Sequence, residues 1–333
     1  MHQKSFIVKQ GSTQIVLITM LNRRHLRVKV MQALYAYQTD KKELQQQEKG
    51  LLQSIDKVYE MYIWMLSLIA EVANHATIDA EERANKHLPT ADDLKANLKI
   101  TQNRFLTSLE QNADFIAALK KYKVSWSFDP ELSKALFIIL KNAPEYQEYL
   151  DFEGDTIQTD KDIIKFIFKK VILKSSLAEQ VFEDKFIFWP VDKDVLQALI
   201  AKTFKNFSFD EPKLNKLAEV TGNWDEDREF IINLFEETIR HSDEYQELIT
   251  QKTQNWEPER IAMMDTLLMK MAITEFVNFA SVPVKVTINE YLEIAKEFST
   301  PKSNSFLNGI LDKILSELKT AGRIRKTGRG LIE

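Results

Sequence analysis

Apolar side chains recur at helical spacing along most of the chain. Between residues 21 and 38, the apolar stripe contains Leu26, Val30, Leu34 and Tyr37, which fall on one face of a helix. Comparable stripes predict further helices over 51–73, 91–121, 130–142, 160–182, 191–205, 225–250, 258–279, 284–298 and 303–319. Two-residue alternation is limited to a weak hint in residues 5–18, so the pattern predicts an all-α fold.

The residues that usually interrupt helices agree with this prediction. The 333 residues include eight glycines and eight prolines, which is well below the usual frequency of these residues. Pro130, Pro258 and Pro283 stand near predicted helix starts, and Ser303 is suited to cap the last helix. Long helices joined by few turns therefore fit the composition better than a β fold.

One segment of the chain resembles another. Residues 160–189 align with 227–256 without a gap and share seven identical positions, including Trp189 with Trp256. Amphipathic helices can share apolar spacing without common descent. Both a duplicated helix–loop–helix unit and coincidental spacing therefore remain open.

Composition and charge limit the function classes. The 45 basic and 49 acidic residues nearly balance, giving a net charge of −4, so anion binding requires a local basic patch. The chain has no cysteine, which excludes disulfides, zinc–thiolate sites and a cysteine nucleophile. The apolar run Met61–Ala70 is too short to cross a bilayer, and residues 1–19 lack a signal-peptide pattern. We expect a cytoplasmic protein without membrane association, in which residues 1–19 are a poorly ordered extension.

Patterns typical of enzymes and metal sites are missing from the sequence. The five histidines lie far apart, without the spacing of helix-borne metal ligands. The acidic run Asp151–Asp162 places Gly154 at the wrong position for a calcium-binding loop. Neither a glycine-rich phosphate loop nor a nucleophile elbow occurs. The sequence therefore predicts a non-enzymatic protein with no catalytic residue, metal site or cofactor.

Two local basic clusters remain. Arg23, Arg24, Arg27 and Lys29 lie near the start of the first predicted helix, with no acidic residue among them. Positive charge there opposes the helix dipole at a cost of about 0.3–1 kcal/mol per exposed residue, whereas arginines beside free backbone N–H groups suit phosphate. A solvated basic turn is the structural alternative. The second cluster, within 319–329, has the pattern of a frayed basic tail.

Gly309 lies inside the last predicted helix. Glycine costs about 1 kcal/mol relative to alanine in such a position. Our interpretation is that Gly309 permits the close approach of another helix, with a partner surface as the alternative.

Four segments, taken in order, resemble one known family. They are Asn22–Tyr35 (NRRHLRVKVMQALY), Val282–Glu290 (VPVKVTINE), Leu292–Lys296 (LEIAK) and Phe306–Asp312 (FLNGILD). In their order and spacing, these segments resemble the NusB family of transcription antitermination proteins. The resemblance implies two small helical bundles formed by residues 20–55 and 224–320. A large helical insertion then occupies 56–223, and a basic tail occupies 321–333.

This resemblance implies an RNA-binding transcription antitermination factor. The family binds the boxA element of ribosomal RNA leader transcripts together with NusE, a small-subunit ribosomal protein, and helps the transcription elongation complex resist premature termination. Carried over position by position, the RNA-contacting residues are Arg23, Arg24, Arg27, Gln32, Tyr35 and Phe306. Arginine–phosphate contacts and stacking by Tyr35 and Phe306 suit single-stranded RNA, although core packing is an open alternative for both rings. Glu259 and Asp265 match acidic positions expected to face the basic NusE.

Two other function classes share parts of this pattern. A helical protein-interaction scaffold of NusB shape, in which the insertion carries the main binding role, is favoured by the net negative charge. Fusion of the same helical module to an RNA cytosine methyltransferase would need catalytic cysteines and a glycine-rich cofactor motif, and the sequence has neither.

Overall fold

The computed structural model describes residues 21–40, 43–154, 157–208, 215–254 and 261–331. These residues form α-helices, short 3-10 segments and one π-helical turn, Ile167–Ile172, with no strand among them. The α-helices of this described part are α1 Arg23–Thr39, α2 Leu44–Ala84, α3 Arg104–Glu110, α4 Ala113–Lys121, α5 Pro130–Lys141, α6 Pro144–Asp151, α7 Ile157–Phe166, α8 Ser176–Lys185, α9 Trp189–Asn206, α10 Trp224–Arg240, α11 Ser242–Lys252, α12 Met263–Asn278, α13 Val284–Phe298 and α14 Ser303–Thr320. The all-α prediction is confirmed, while residues 1–19 lie outside the described residues.

Helix α2 is the longest of the described helices and packs against several others. Its 41 residues span about 60 Å at 1.5 Å per residue. Its apolar residues are buried along most of this length, and the helix packs against α1, α4, α5, α9 and α10. Since α2 runs without a break through residue 55, the predicted insertion begins inside a continuous helix.

The carboxyl-terminal bundle surrounds α12. This helix is buried on nearly all sides, because α1, α10, α11, α13 and α14 all pack against it. Helix α1 contacts α10, α12 and α13, although about 200 residues separate it from them in the chain. The segments 20–55 and 224–320, which the family resemblance groups together, therefore pack against each other through α1.

Asparagine caps divide one predicted helix into several. The pattern predicted a single helix over 91–121, but the structure has a 3-10 turn, α3 and α4 there. The Asn103 side chain accepts hydrogen bonds from the backbone N–H groups of Phe105 and Leu106, and Asn112 accepts one from Phe115. Asparagine is a favoured residue at the start of a helix, so each of these residues begins a new one.

The two similar segments both fold as helix–turn–helix, within the residues described. Ile164 and Phe168 are buried in the first segment, as are their counterparts Ile231 and Phe235 in the second. The first segment contains the π-helical turn, whereas α10 is regular. Trp256, the last counterpart, lies outside the described residues. The identical apolar positions therefore serve core packing in both segments, and a common origin stays a prediction.

The interpretation of Gly309 is wrong. A Cβ atom built on Gly309 would meet nothing within 4 Å, so none of the described helices crosses at this position. The core side of α14 is formed by Leu307, Ile310, Leu311 and Ile314. Two residues along a helix turn the side chain through about 200°, which places position 309 opposite Leu307 and Leu311.

Candidate nucleic-acid interface

Helix α1 begins with a cap and a basic first turn that contains no acidic residue of its own. The Asn22 side chain accepts a hydrogen bond from the backbone N–H of His25 at 3.0 Å, and no acidic residue lies in the first turn. Arg23, Arg24 and Arg27 follow at once, but their side chains enter different surroundings. The acids that compensate them all come from helices distant in sequence.

Arg27 is part of the core. Its guanidinium, only 2% exposed, donates two hydrogen bonds to Glu275, from Nε at 2.8 Å and from Nη2 at 2.6 Å. Glu275 also accepts from the Thr287 and Tyr291 hydroxyls. Burial alone would lower the pKa of Arg27, but the charge of Glu275 raises it above its ordinary value. The expectation of an exposed arginine at this position is therefore corrected, because the side chain crosses the core to a buried carboxylate.

Arg23 and Arg24 lie at the surface. Arg23 contacts Glu226 at 2.5 Å and Asp227 at 3.4 Å on α10, with its guanidinium 4.4 Å from the centre of the Phe230 ring. Arg24 forms two hydrogen bonds to Glu290 on α13, at 2.9 and 3.0 Å. Their side chains are 35% and 39% exposed, so solvent and ligands can reach them.

These two arginines line an open cleft. The cleft has a volume of about 1190 Å³ and lies between the start of α1, α10, the α12–α13 connection and the carboxyl-terminal segment. Its lining includes Arg23, Arg24, Phe230, Val282, Glu290 and Arg329. Guanidinium groups, an aromatic ring and carboxylates thus meet in one groove.

The other side of α1 faces the predicted insertion. Lys29 Nζ lies 2.6 Å from Asp192 Oδ2 of α9, with both side chains buried, and 4.7 Å from the centre of the Phe188 ring. Burial lowers the pKa of Lys29 and raises that of Asp192, each opposed by the charge of the other residue. His25 is half-buried on the same side, and burial followed by the charge of Arg24 lowers its pKa below 6.5. Residues 188 and 192 of the predicted insertion therefore contact Lys29, whereas the described contacts of Arg23 and Arg24 come from α10 and α13.

The remaining predicted RNA-contacting residues have mixed exposure. Tyr35 is 42% exposed. Gln32 is half-buried, and its Oε1 atom lacks a hydrogen-bond partner within the described residues. Phe306, in the first turn of α14, is half-buried against the core. Of the three, Tyr35 has the most accessible ring.

Asp265 does not lie on an exposed face. Its carboxylate is buried and accepts hydrogen bonds from the hydroxyls of Ser299 at 2.6 Å and Ser303 at 2.8 Å. Asp265 thus ties the start of α12 to the α13–α14 connection. The expectation that it faces a partner is corrected by this burial, and Glu259 lies outside the described residues.

Sequence reasoning missed the carboxylates and the carboxyl-terminal segment that complete the cleft. Glu275 is a lone acid within the apolar part of α12, which was the available signal for a buried charge partner. The predicted frayed tail instead packs on the end of α12, where Lys326 donates to the carbonyl oxygens of Glu275 and Phe279. Gly328 and Gly330, on either side of Arg329, are the feature of the sequence that could have indicated a specific backbone conformation in this segment.

Two other classes of site receive no support in the described part of the chain. No group of three or more histidine, aspartate or glutamate side chains there is placed to hold a metal ion. Across the same residues, no helix combines the length and apolar character needed to cross a membrane.

Comparison with known proteins identifies relatives over about a third of the chain. The model of the NusB family matches residues 193–316, a range that begins within α9 and does not include α1. The transcription antitermination protein NusB of Salinibacter ruber is 49% identical over 105 residues, which are 32% of this chain and 66% of that protein. The protein of the same name from Chloroherpeton thalassium is 42% identical over 106 residues, 32% of this chain and 50% of that protein. The chain thus spans less than two thirds of the length of these two relatives.

A third relative is covered more completely. The transcription antitermination protein NusB of Koribacter versatilis is 37% identical over 123 residues, which are 37% of this chain and 84% of that protein. No solved structure matches the chain. The all-helical fold, the matched range and this coverage together place the chain in the NusB family.

Proposed function

We propose that this protein is a cytoplasmic, RNA-binding transcription antitermination factor. It binds boxA-type ribosomal RNA leader sequence together with the ribosomal protein NusE and acts on the transcription elongation complex to suppress premature termination. Membership of the NusB family and the names of the relatives support this proposal. The observation that carries it is the position of Arg23 and Arg24, which are accessible in an open cleft whose lining contains no described residue of 56–223.

The acidic partners of these arginines are compatible with phosphate binding. Exposed ion pairs contribute only about 0–1 kcal/mol, so exchanging a surface carboxylate for an RNA phosphate costs little. Phosphate offers the same two-point contact to a guanidinium that Glu290 makes with Arg24. Glu226 and Glu290 would hold the two arginines in place until RNA arrives.

Roles for the other residues follow from their exposure. Tyr35 can offer its ring to an unstacked base, a contact worth about 1–3 kcal/mol. Phe306 and Gln32 would contact RNA through their exposed fractions. Arg27 acts indirectly in this proposal, since its ion pair with Glu275 fixes α1 against α12 and so positions Arg23 and Arg24. NusE would bind elsewhere on the carboxyl-terminal bundle, without contact to Asp265.

The test is salt-dependent binding of boxA RNA, with and without NusE. Replacing Arg24 by alanine should weaken binding and reduce the slope of log affinity against log salt by about 0.7, the value for one phosphate contact on a single strand. Arg240→Ala is the matched control, because Arg240 is an exposed arginine paired with Glu237 but outside the cleft. We expect Arg240→Ala to keep both affinity and slope.

Two results would contradict the proposal. One is wild-type affinity and slope for the Arg23→Ala/Arg24→Ala double variant in the presence of NusE. The other is failure of the wild-type chain to shift boxA RNA under any of these conditions. The second result, combined with binding of a protein partner through residues 56–223, would favour the scaffold alternative instead.

A further inference from the structure

The carboxyl-terminal segment 323–331 is anchored to the bundle at several points. Arg323 forms an ion pair with Glu244 on α11 at 2.5 Å. The Lys326 ammonium donates to the carbonyl oxygens of Glu275 at 3.1 Å and Phe279 at 2.9 Å, where a positive charge also suits the negative end of the α12 dipole. These contacts give the segment a defined course across the end of α12.

Two glycines then determine where Arg329 stands. Gly328 has φ +52°, a left-handed conformation that side chains with a Cβ rarely adopt. A Cβ on Gly330 would lie 2.0 Å from the carbonyl oxygen of Ala280, so only glycine permits this approach. The backbone N–H of Thr327 donates to that same oxygen at 3.0 Å. The backbone on both sides of Arg329 is therefore specified, which is unusual for an ordinary basic tail.

Arg329 lines the same cleft as Arg23 and Arg24, but it differs from them in having no carboxylate partner among the described residues. Arg23, Arg24 and Arg27 each contact a carboxylate. Arg329 is exposed and makes no ion pair within the described residues. A guanidinium held at the cleft wall without an acid is free to bind an anion without first giving up a partner.

We propose that Arg329 is a phosphate-contacting residue for single-stranded RNA, and that the anchored segment 323–331 forms one fixed side of the RNA-binding cleft. This inference rests on the proposed function and extends it to a part of the chain that lies beyond the range matched by the family, 193–316. Arg329 would meet a phosphate directly, whereas Arg23 and Arg24 exchange a carboxylate for one.

The experiment compares Arg329→Ala with Arg325→Ala in the full chain, using boxA RNA over a series of salt concentrations. Arg325 is the matched control, because it is an exposed arginine of the same segment that does not line the cleft. We expect Arg329→Ala to weaken binding roughly three- to tenfold and to reduce the salt slope by about 0.7. We expect Arg325→Ala to change neither quantity.

A third variant tests the anchoring. Gly330→Ala keeps every charge but cannot keep the contact with Ala280, so it should weaken RNA binding as Arg329→Ala does. The circular dichroism spectrum of each variant at the assay temperature should match the wild type, which separates a local change from a loss of fold.

The outcomes distinguish this inference from the proposed function. Unchanged binding by Arg329→Ala, with weakened binding by Arg24→Ala, would overturn the inference and leave the proposed function standing. Equal weakening by Arg325→Ala and Arg329→Ala would overturn it too, because the segment would then act as a diffuse positive charge. Normal RNA binding by Gly330→Ala would refute the part of the inference that requires segment 323–331 to be anchored. Absence of RNA binding by the wild-type chain would overturn the proposed function and this inference with it.

Discussion

The buried pair between Arg27 and Glu275 offers the sharpest test of how α1 is held. Replacing Arg27 by methionine keeps much of the side-chain volume but removes the positive charge. Glu275, which is 0% exposed, would then keep only the hydroxyls of Thr287 and Tyr291 as partners. A carboxylate left in this position is closed off from solvent and loses the cation that contacts it directly, while Lys326 reaches only the backbone carbonyl of the same residue.

The size of the effect follows from desolvation. Breaking a buried ion pair by removing one partner costs about 3–5 kcal/mol, since the remaining charge is uncompensated. Removing the second charge should recover most of this loss. Glu275→Gln keeps an acceptor for Thr287 but carries no charge, so the Arg27→Met/Glu275→Gln double variant should be at least about 2 kcal/mol more stable than Arg27→Met alone.

The assay is urea unfolding followed by circular dichroism at neutral pH. Arg24→Met is the control, because its ion pair with Glu290 is partly exposed and should contribute no more than about 1 kcal/mol. An unchanged urea midpoint for Arg27→Met would refute the reasoning. So would a double variant that is no more stable than Arg27→Met, because the cost would then come from packing instead of an unpaired charge.

Three further predictions concern stability. Gly309→Ala should stabilise the protein by about 0.5–1 kcal/mol, since α14 is open to solvent there, and a lower melting temperature would contradict this. Asp265→Ala should cost about 1–3 kcal/mol in urea unfolding, because the hydroxyls of half-buried Ser299 and buried Ser303 lose an acceptor. Burial and neighbouring cations hold the pKa of His25 in the folded protein below 6.5. The contribution of neutral His25 to the free energy of unfolding should therefore be complete above pH 6.5 and be lost as the pH falls through the lower folded-state pKa. Unfolding at a series of pH values should show a smaller acid loss for His25→Gln, with part of the loss remaining because burial also lowers the pKa of His75.

The helical fold could be predicted because apolar periodicity is local information. Leu26, Val30 and Leu34 are all buried, as the stripe in α1 requires. Helix boundaries were harder to predict where polar caps interrupt an apolar pattern, as Asn103 and Asn112 do. The open position of Gly309 could have been derived from the same wheel that identified its apolar neighbours, since the rotation per residue is known.

The candidate site was less accessible to sequence reasoning, because the partners of its charges are distant in the chain. Arg27 and Glu275 are separated by 248 positions, and nothing within either segment identifies the other. The wheel of α1 places Arg27 beside the apolar stripe, which permits both burial and exposure. Only the packing of α1 on α12 decides between these two arrangements.

The four cations at the start of α1 therefore divide into two pairs. Arg27 and Lys29 are buried against Glu275 and Asp192, and their charges hold the first helix to the carboxyl-terminal bundle on one side and to α9 on the other. Arg23 and Arg24 keep exposed guanidinium groups over the cleft. Since α9 of the insertion contacts α1 at Lys29, and no described residue of 56–223 lines the cleft, the presence of the insertion is compatible with an open arginine edge. Two of the four basic side chains near the start of this helix are therefore unavailable to an anion in solution, whereas Arg329, which comes from the other end of the described chain, lines the cleft together with Arg23 and Arg24.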